Sequence, residues 1–202
     1  MTQAPARIEW NALSVPEFYV AAVTTGLVRR AIELARDEDL GAGDVSSEAM
    51  IPADSTGRAA VVAREAGVVA GLACAPLVLD VFGGKCRWKA IGADGEAVEP
   101  GESVGEVSGP LRDVLAIERT LLNLVCRLSG IATLTHRYVR ETEGTKARIC
   151  DTRKTTPGLR MLEKYAVRCG GGCSHRMGLH DAALFKDNHL AADGAAPLGE
   201  RI

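Results

Sequence analysis

An α+β domain followed by the first elements of an α/β sheet or barrel is the fold class this sequence predicts, and three observations predict it. Behind one amphipathic helical stretch, residues 57–108 carry short apolar runs separated by turns containing Gly or Pro. After Gly109-Pro110 a long helical stripe begins. From Ala147 onward the pattern changes to strand, loop, helix, strand, an alternation that belongs to parallel sheets and barrels.

Ser14-Val-Pro-Glu17 has the form of a capping box, and Leu27, Val28, Ala31, Ile32, Leu34 and Ala35 recur at three- and four-residue intervals. One helix from about Val15 to Arg36 is therefore expected, ended by the acidic, glycine-broken turn Asp37–Asp44. Ala59–Ala63 and Gly67–Ala70 read as strands joined by a turn, and Leu72–Phe82 as a helix stopped by Gly83-Gly84. In Lys85–Ile91 charges alternate with Cys86, Trp88 and Ala90, as in a half-exposed antiparallel strand. Turns at Asp94-Gly95 and Pro100-Gly101 lead to Ser103–Val107, which closes a small sheet. Leu111, Val114, Leu115, Leu121, Leu122, Val125 and Leu128 form the long helix, with Ser129-Gly130 a candidate kink before it runs on towards Arg140. Ala147–Asp151 and Ala182–Asp187 read as strands flanking a helix over Leu159–Arg168. The expected division is an α+β domain over residues 1–108, then linking helices and first barrel strands over 109–202.

At 202 residues and 47% hydrophobic content, the chain has ample material for a buried core. Its formal net charge of -2 excludes a global basic field for nucleic acid, so any anion site must be local. No apolar run approaches the roughly 20 residues of a membrane helix. Met1–Glu9 carries no apolar run behind a basic segment, so a cytoplasmic protein is expected. The six cysteines read as reduced, mostly buried thiols; Cys169 and Cys173 are close-spaced but lack a second Cys or His pair for zinc.

Between Arg153 and His189 the chain carries seven Lys or Arg residues against three acidic ones, so this stretch is locally cationic. Arg153 and Lys154 directly follow the strand expected to end at Asp151, and Lys186 lies at the end of the next. Ligands of parallel α/β folds bind at the carboxyl ends of strands, so these residues describe a pocket for a multiply anionic small molecule. Arg160, Lys164 and Arg168 read as solvated charges on a helix, and Gly170-Gly-Gly172 as a flexible turn that could also approach a phosphate. His175 gains interest from Arg176 beside it.

Asp151-Thr-Arg-Lys-Thr-Thr-Pro-Gly-Leu-Arg160, Glu163-Lys-Tyr-Ala-Val-Arg168, His175-Arg-Met-Gly-Leu179 and Leu184-Phe-Lys-Asp-Asn-His189 together resemble the signature of the quinolinate phosphoribosyltransferase family. Upstream, Glu38–Asp44, Arg64–Gly71, Glu118–Asn123 and Leu128–Ala132 resemble the same family in the same order. The resemblance implies an α/β barrel of the type II phosphoribosyltransferase kind. It also implies an enzyme of NAD biosynthesis that condenses quinolinate with phosphoribosyl pyrophosphate (PRPP), releasing pyrophosphate and carbon dioxide and leaving nicotinate mononucleotide. Carried over by position, it puts Arg153, His175 and Arg176 around the quinolinate carboxylates, Lys154 and Lys186 towards PRPP, and Arg119 in reach from a partner subunit of a homodimer. Lys154 and Lys186 are the catalytic candidates, and Mg2+ accompanies the pyrophosphate. No protein nucleophile is required: displacement through an oxocarbenium-like state is helped by positioning and by charges that stabilise departing pyrophosphate.

After Leu190 the family continues through further strands that bring acidic residues for ribose and metal and a Ser-Gly-Gly phosphate loop, so no metal ligand can be named here. A closed barrel takes roughly 250 residues, whereas fewer than about 95 follow Pro110. The expectation is a C-terminally truncated chain, of low stability alone unless a partner covers its strand edges. Rival readings are a related phosphoribosyltransferase for another pyridine carboxylate, or an inactive fragment or binding protein derived from the family. Asp94–Val104 also resembles the turn of biotinyl and lipoyl carriers, but no Lys occurs between Lys89 and Lys146 to carry the group.

Overall fold

A computed structural model of the chain describes residues 8–191. The capping box forms: the Ser14 side chain accepts from Glu17 N while the Glu17 carboxylate accepts from Ser14 N at 2.8 Å, opening helix α1 (Val15–Thr24). The single helix expected over Val15–Arg36 is two helices. Gly26 adopts φ +73°, a left-handed conformation open to glycine, and the chain restarts as α2 (Leu27–Leu40). The acidic turn is correspondingly short; Gly41 ends α2, and Asp44 caps α3 (Val45–Met50) by accepting from Ser46 N and Ser47 N.

Strands β1 (Thr56–Val62), β3 (Arg87–Ala90) and β5 (Ser103–Pro110) form an antiparallel sheet in the order β1-β5-β3, with a bulge between Val61 and Val62. β2 (Gly67–Val68) pairs with β4 (Ala97–Val98) in a separate ribbon. The two runs flanking Arg64-Glu65 are therefore strands, but each pairs elsewhere and not with the other. Between β2 and β3 in sequence, a 3-10 turn (Leu72–Cys74) leads into α4 (Ala75–Val81), which stops where Gly83 and Gly84 take φ +108° and +68°. Gly105 faces Trp88 across the sheet so closely that an added Cβ would sit 1.9 Å from the indole.

Helix α5 (Leu111–Glu141) is continuous for 31 residues. Val114, Ile117, Leu121, Val125, Leu128 and Ala132 form one buried stripe along it. The helix is not interrupted at Ser129-Gly130, the candidate kink, and the hydroxyls near it have another use. Ser129 Oγ accepts from Ala70 N at 3.0 Å, and Thr133 Oγ1 accepts from Val68 N at 2.9 Å. These hydroxyls satisfy backbone groups of β2 and of the segment just after it, a strand with a single strand neighbour among the described residues.

Helix α6 (Arg160–Cys169) packs on α5 and α1, and α7 (Asp187–Ala191) follows it. The strands expected over Ala147–Asp151 and Ala182–Asp187 are not formed; the first makes a single parallel bridge, Cys150 to Cys173, and the second is irregular up to Asp187. A ladder needs a partner in register over several residues, and neither segment has one among the described residues. The described part thus holds an α+β unit and the beginning of an α/β arrangement, joined in one continuous core from Phe18 through Val78, Val107 and Leu121 to Leu162 and Tyr165.

Asp94, in the turn before β4, ties these parts together. Its carboxylate accepts from Leu72 N at 2.8 Å, from Ala73 N at 3.0 Å and from the Tyr165 hydroxyl of α6 at 2.6 Å. Asp94→Ala leaves three buried or half-buried donors unmatched and is expected to lower stability by roughly 2–4 kcal/mol in urea unfolding, against about 1 kcal/mol for Tyr165→Phe.

Candidate functional site

Two segments distant in sequence lie side by side. Cys173 N donates to Ile149 O at 2.8 Å and Asp151 N to Cys173 O at 3.0 Å, which sets residues 149–154 against 172–176. One ion pair fastens them. The Lys164 ammonium of α6 donates to Asp151 Oδ1 and, at 3.2 Å, to His175 O, while His175 N donates to the same Asp151 oxygen at 2.9 Å. The Lys164 side chain is 0% exposed and that of Asp151 5%. A lone ammonium at this depth would cost several kcal/mol, so each charge requires the other. Burial pushes the Asp151 carboxyl above its ordinary pKa, with the Lys164 hydrogen bond and charge opposing.

Arg153 and Lys154 leave this anchor on one segment, His175 and Arg176 on the other. Arg153 is half-buried, and its Nε has no hydrogen-bond partner among the described residues; neither have the buried Asp151 Oδ2 and Ser174 Oγ. Lys154 is exposed on a turn in which its N–H bonds Thr152 Oγ1 at 3.0 Å. His175 is exposed and accepts through Nδ1 from Arg176 N at 2.7 Å, so in the neutral ring the proton sits on Nε2. Arg176 Nη1 donates to Ala182 O at 3.0 Å, and Met177 N to Asp181 Oδ2 at 2.7 Å; together they hold the start of the loop that carries Lys186. Lys186 itself is exposed in irregular chain just before α7, not at the end of a strand.

Arg119 lies elsewhere. It is exposed on α5, eight residues and thus roughly 12 Å along the helix from Arg127, which contacts the region before α6. There it borders a groove of about 750 Å³ with Arg64, Glu118, Asn123 and Arg137.

The three basic residues of α6 are not solvated surface charges. Besides Lys164, Arg160 bonds Thr155 Oγ1 at 3.1 Å, and Arg168 bonds Gly172 O at 3.1 Å and Leu13 O at 2.9 Å. Nor is Gly170-Gly-Gly172 a loose turn. Gly171 N to Arg168 O and Gly172 N to Val167 O form a Schellman cap with Gly171 at φ +87°, and a Cβ on Gly170 would sit 2.4 Å from Ala132 O of α5. Arg127 and Glu163 form a further ion pair, with Thr156 N donating to Glu163 Oε2 at 3.1 Å. Burial raises the Glu163 pKa, but hydrogen bonds from Arg127 and Thr156 and the Arg127 charge overcome it and hold it below the ordinary value. Among the described residues no group of three His, Cys, Asp or Glu side chains is placed to hold a metal ion, and no helix is long and apolar enough to cross a membrane.

Paired basic residues on adjoining segments behind a buried anchor gather positive charge of the kind that suits a small, multiply charged anion. The models of the quinolinate phosphoribosyl transferase N-terminal and C-terminal domains match residues 44–129 and 131–197. A nicotinate-nucleotide pyrophosphorylase (carboxylating) of Mycobacterium leprae is 48% identical over 186 residues, covering 91% of this chain and 63% of that protein. A probable nicotinate-nucleotide pyrophosphorylase (carboxylating) of Bacillus subtilis is 46% identical, covering 78% and 54%. The solved nicotinate-nucleotide pyrophosphorylase of Francisella tularensis superimposes with a TM-score of 0.77 at 33% identity, covering 91% of this chain and 62% of that one. The chain belongs to the quinolinate phosphoribosyl transferase family, and it spans about 63% of the length of the M. leprae relative.

Lys164→Met strands the Asp151 carboxylate and is expected to cost roughly 3–5 kcal/mol, much of it recovered when Asp151 is also made apolar; urea denaturation of both variants measures this. Because Glu163 has a lowered folded-state pKa, its contribution is present above the unfolded value of about 4.3 and is lost as pH falls through the lower folded value. The stability difference between wild type and Glu163→Gln should stay level from neutral pH to about 5 and shrink below about 4.

Proposed function

We propose that this chain transfers the phosphoribosyl group of PRPP to quinolinate and decarboxylates the product, giving nicotinate mononucleotide, pyrophosphate and carbon dioxide. The observation that carries this reading is the pairing of Arg153 with His175 and Arg176 across the Asp151–Lys164 anchor. A pyridine dicarboxylate offers two carboxylates to such a pair of segments, and the unpartnered Arg153 Nε is a donor in want of an acceptor. Lys154, exposed on the first of these segments, and Lys186, exposed on the loop that follows the second, suit the phosphate and pyrophosphate groups of PRPP.

In this reading the ring nitrogen bonds to the sugar carbon as the carbon–oxygen bond to pyrophosphate breaks, and Lys154 and Lys186 stabilise the departing charge. The carboxylate next to the ring nitrogen then leaves as carbon dioxide; its electron pair is stabilised by the cationic nitrogen until the carbon takes a proton. Mg2+ would accompany the pyrophosphate and would supply neutralisation of its charge. Arg119 is assigned to the site of a second copy in a cytoplasmic homodimer, in keeping with its exposure on α5 away from the other five residues.

The test is formation of nicotinate mononucleotide from quinolinate, PRPP and Mg2+ by the purified chain. Arg153→Ala should lower kcat/KM by about 100-fold or more. Equal turnover by the variant would overturn the assignment of Arg153, and a chain more active on nicotinate than on quinolinate would favour a related pyridine-carboxylate transferase.

A further inference from the structure

Cys150 and Cys173, the two residues of the single parallel bridge, are both thiols. Directly opposed residues on neighbouring strands have Cα atoms roughly 5 Å apart, inside the span of about 4.4–6.8 Å that a disulfide accepts. Their side chains leave the same side of the bridge, and the two thiols interact with one another. Cys150 is exposed and Cys173 buried, so a reagent from solvent meets Cys150 first and finds the second sulfur behind it. Cys150 directly precedes Asp151, and Cys173 stands two residues before His175. Any bond between them therefore closes at the base of the two cationic segments.

We propose that Cys150 and Cys173 are a redox modification site, forming a reversible intramolecular disulfide that clasps the 149–154 and 172–176 segments together. With a peroxide as oxidant, the Cys150 thiolate attacks one peroxide oxygen and the O–O bond breaks, leaving a sulfenic acid and one water after protonation. The Cys173 thiolate then attacks the Cys150 sulfur, the S–O bond breaks and a second water departs. In sum, two thiols are oxidised and one hydrogen peroxide is reduced to two waters. A small dithiol reverses the bond by thiol–disulfide exchange. Burial, then Cys173 and Asp151, hold the Cys150 thiol above its ordinary pKa, with Arg148 partly opposing, so the reaction is slow near neutrality and gains rate with pH.

The experiment is oxidation of the reduced 202-residue chain by hydrogen peroxide, followed by intact mass and by digestion under non-reducing conditions. The expected result is a loss of about 2 Da, a linked pair of peptides containing Cys150 and Cys173, and restoration by dithiothreitol. The rate should rise about tenfold or more from about pH 7 to about pH 9. Cys150→Ser changes an exposed position and should abolish the linked pair, whereas Cys126→Ser, the other exposed cysteine, should keep it. Cys150 recovered as a sulfinic or sulfonic acid without a link, or linked to any cysteine other than Cys173, in chain that retains its circular dichroism, would overturn the proposal.

Discussion

A lysine with no solvent-exposed side-chain surface, bonded to a carboxylate that is itself almost wholly buried, is the interaction on which the site depends. Lys164 belongs to α6 and Asp151 to the segment before it, while the His175 backbone offers both its N–H and its carbonyl to the pair. Three stretches of chain are thus referred to one point. The electrostatic logic is strict: either charge alone would face a desolvation penalty of several kcal/mol, so the arrangement forms as a unit. Its product is a pair of adjoining segments from which Arg153, Lys154, His175 and Arg176 depart within three residues of the anchor. The cationic side chains that face outward are held by cationic and anionic groups that do not.

The rest of the described chain supplies the platform. The buried stripe of α5 carries the sheet, α4 and α6, while its Thr133 hydroxyl bonds Val68 of β2 and its Ser129 hydroxyl bonds Ala70 just beyond that strand. Asp94 joins the turn before β4 to Tyr165, one residue along α6 from Lys164. The N-terminal stretch closes on the same helix: Arg168 holds Leu13 O, and the Asn11 side chain exchanges two hydrogen bonds with Ser174, each at 2.8 Å. Packing therefore converges on α6, and α6 presents the anchoring lysine.

Local signals were legible in the sequence and non-local ones were not. The Ser14 capping box, the alternation of β3 and the long stripe of α5 depend on neighbours a few residues away, and each reads directly. The break at Gly26 escaped because a single glycine within a helical stretch does not by itself end one, and the partners of β1 and β2 escaped because pairing spans tens of residues. At the site, Arg153, Lys154, His175 and Arg176 were visible as charge next to an expected strand and as family motifs. Lys164 and Asp151 lie within the same family motifs, but their pairing was not legible, since a buried lysine and a solvated one carry the same letter and Asp151 stood otherwise as the end of an expected strand. The strand expectations at 147–151 and 182–187 failed for a related reason: an apolar run can be extended, yet without a partner in register it is not a ladder.

The most direct test is the affinity of quinolinate for wild type and for Lys164→Met, measured by titration calorimetry on samples whose circular dichroism shows them folded. Lys164 has no exposed side-chain surface and cannot greet the ligand from solvent. If it positions the two cationic segments, its loss should weaken binding by about tenfold or more, although the outward-facing basic residues are all retained. Unchanged affinity in the folded variant would contradict the account and reduce the buried pair to a contributor to stability alone.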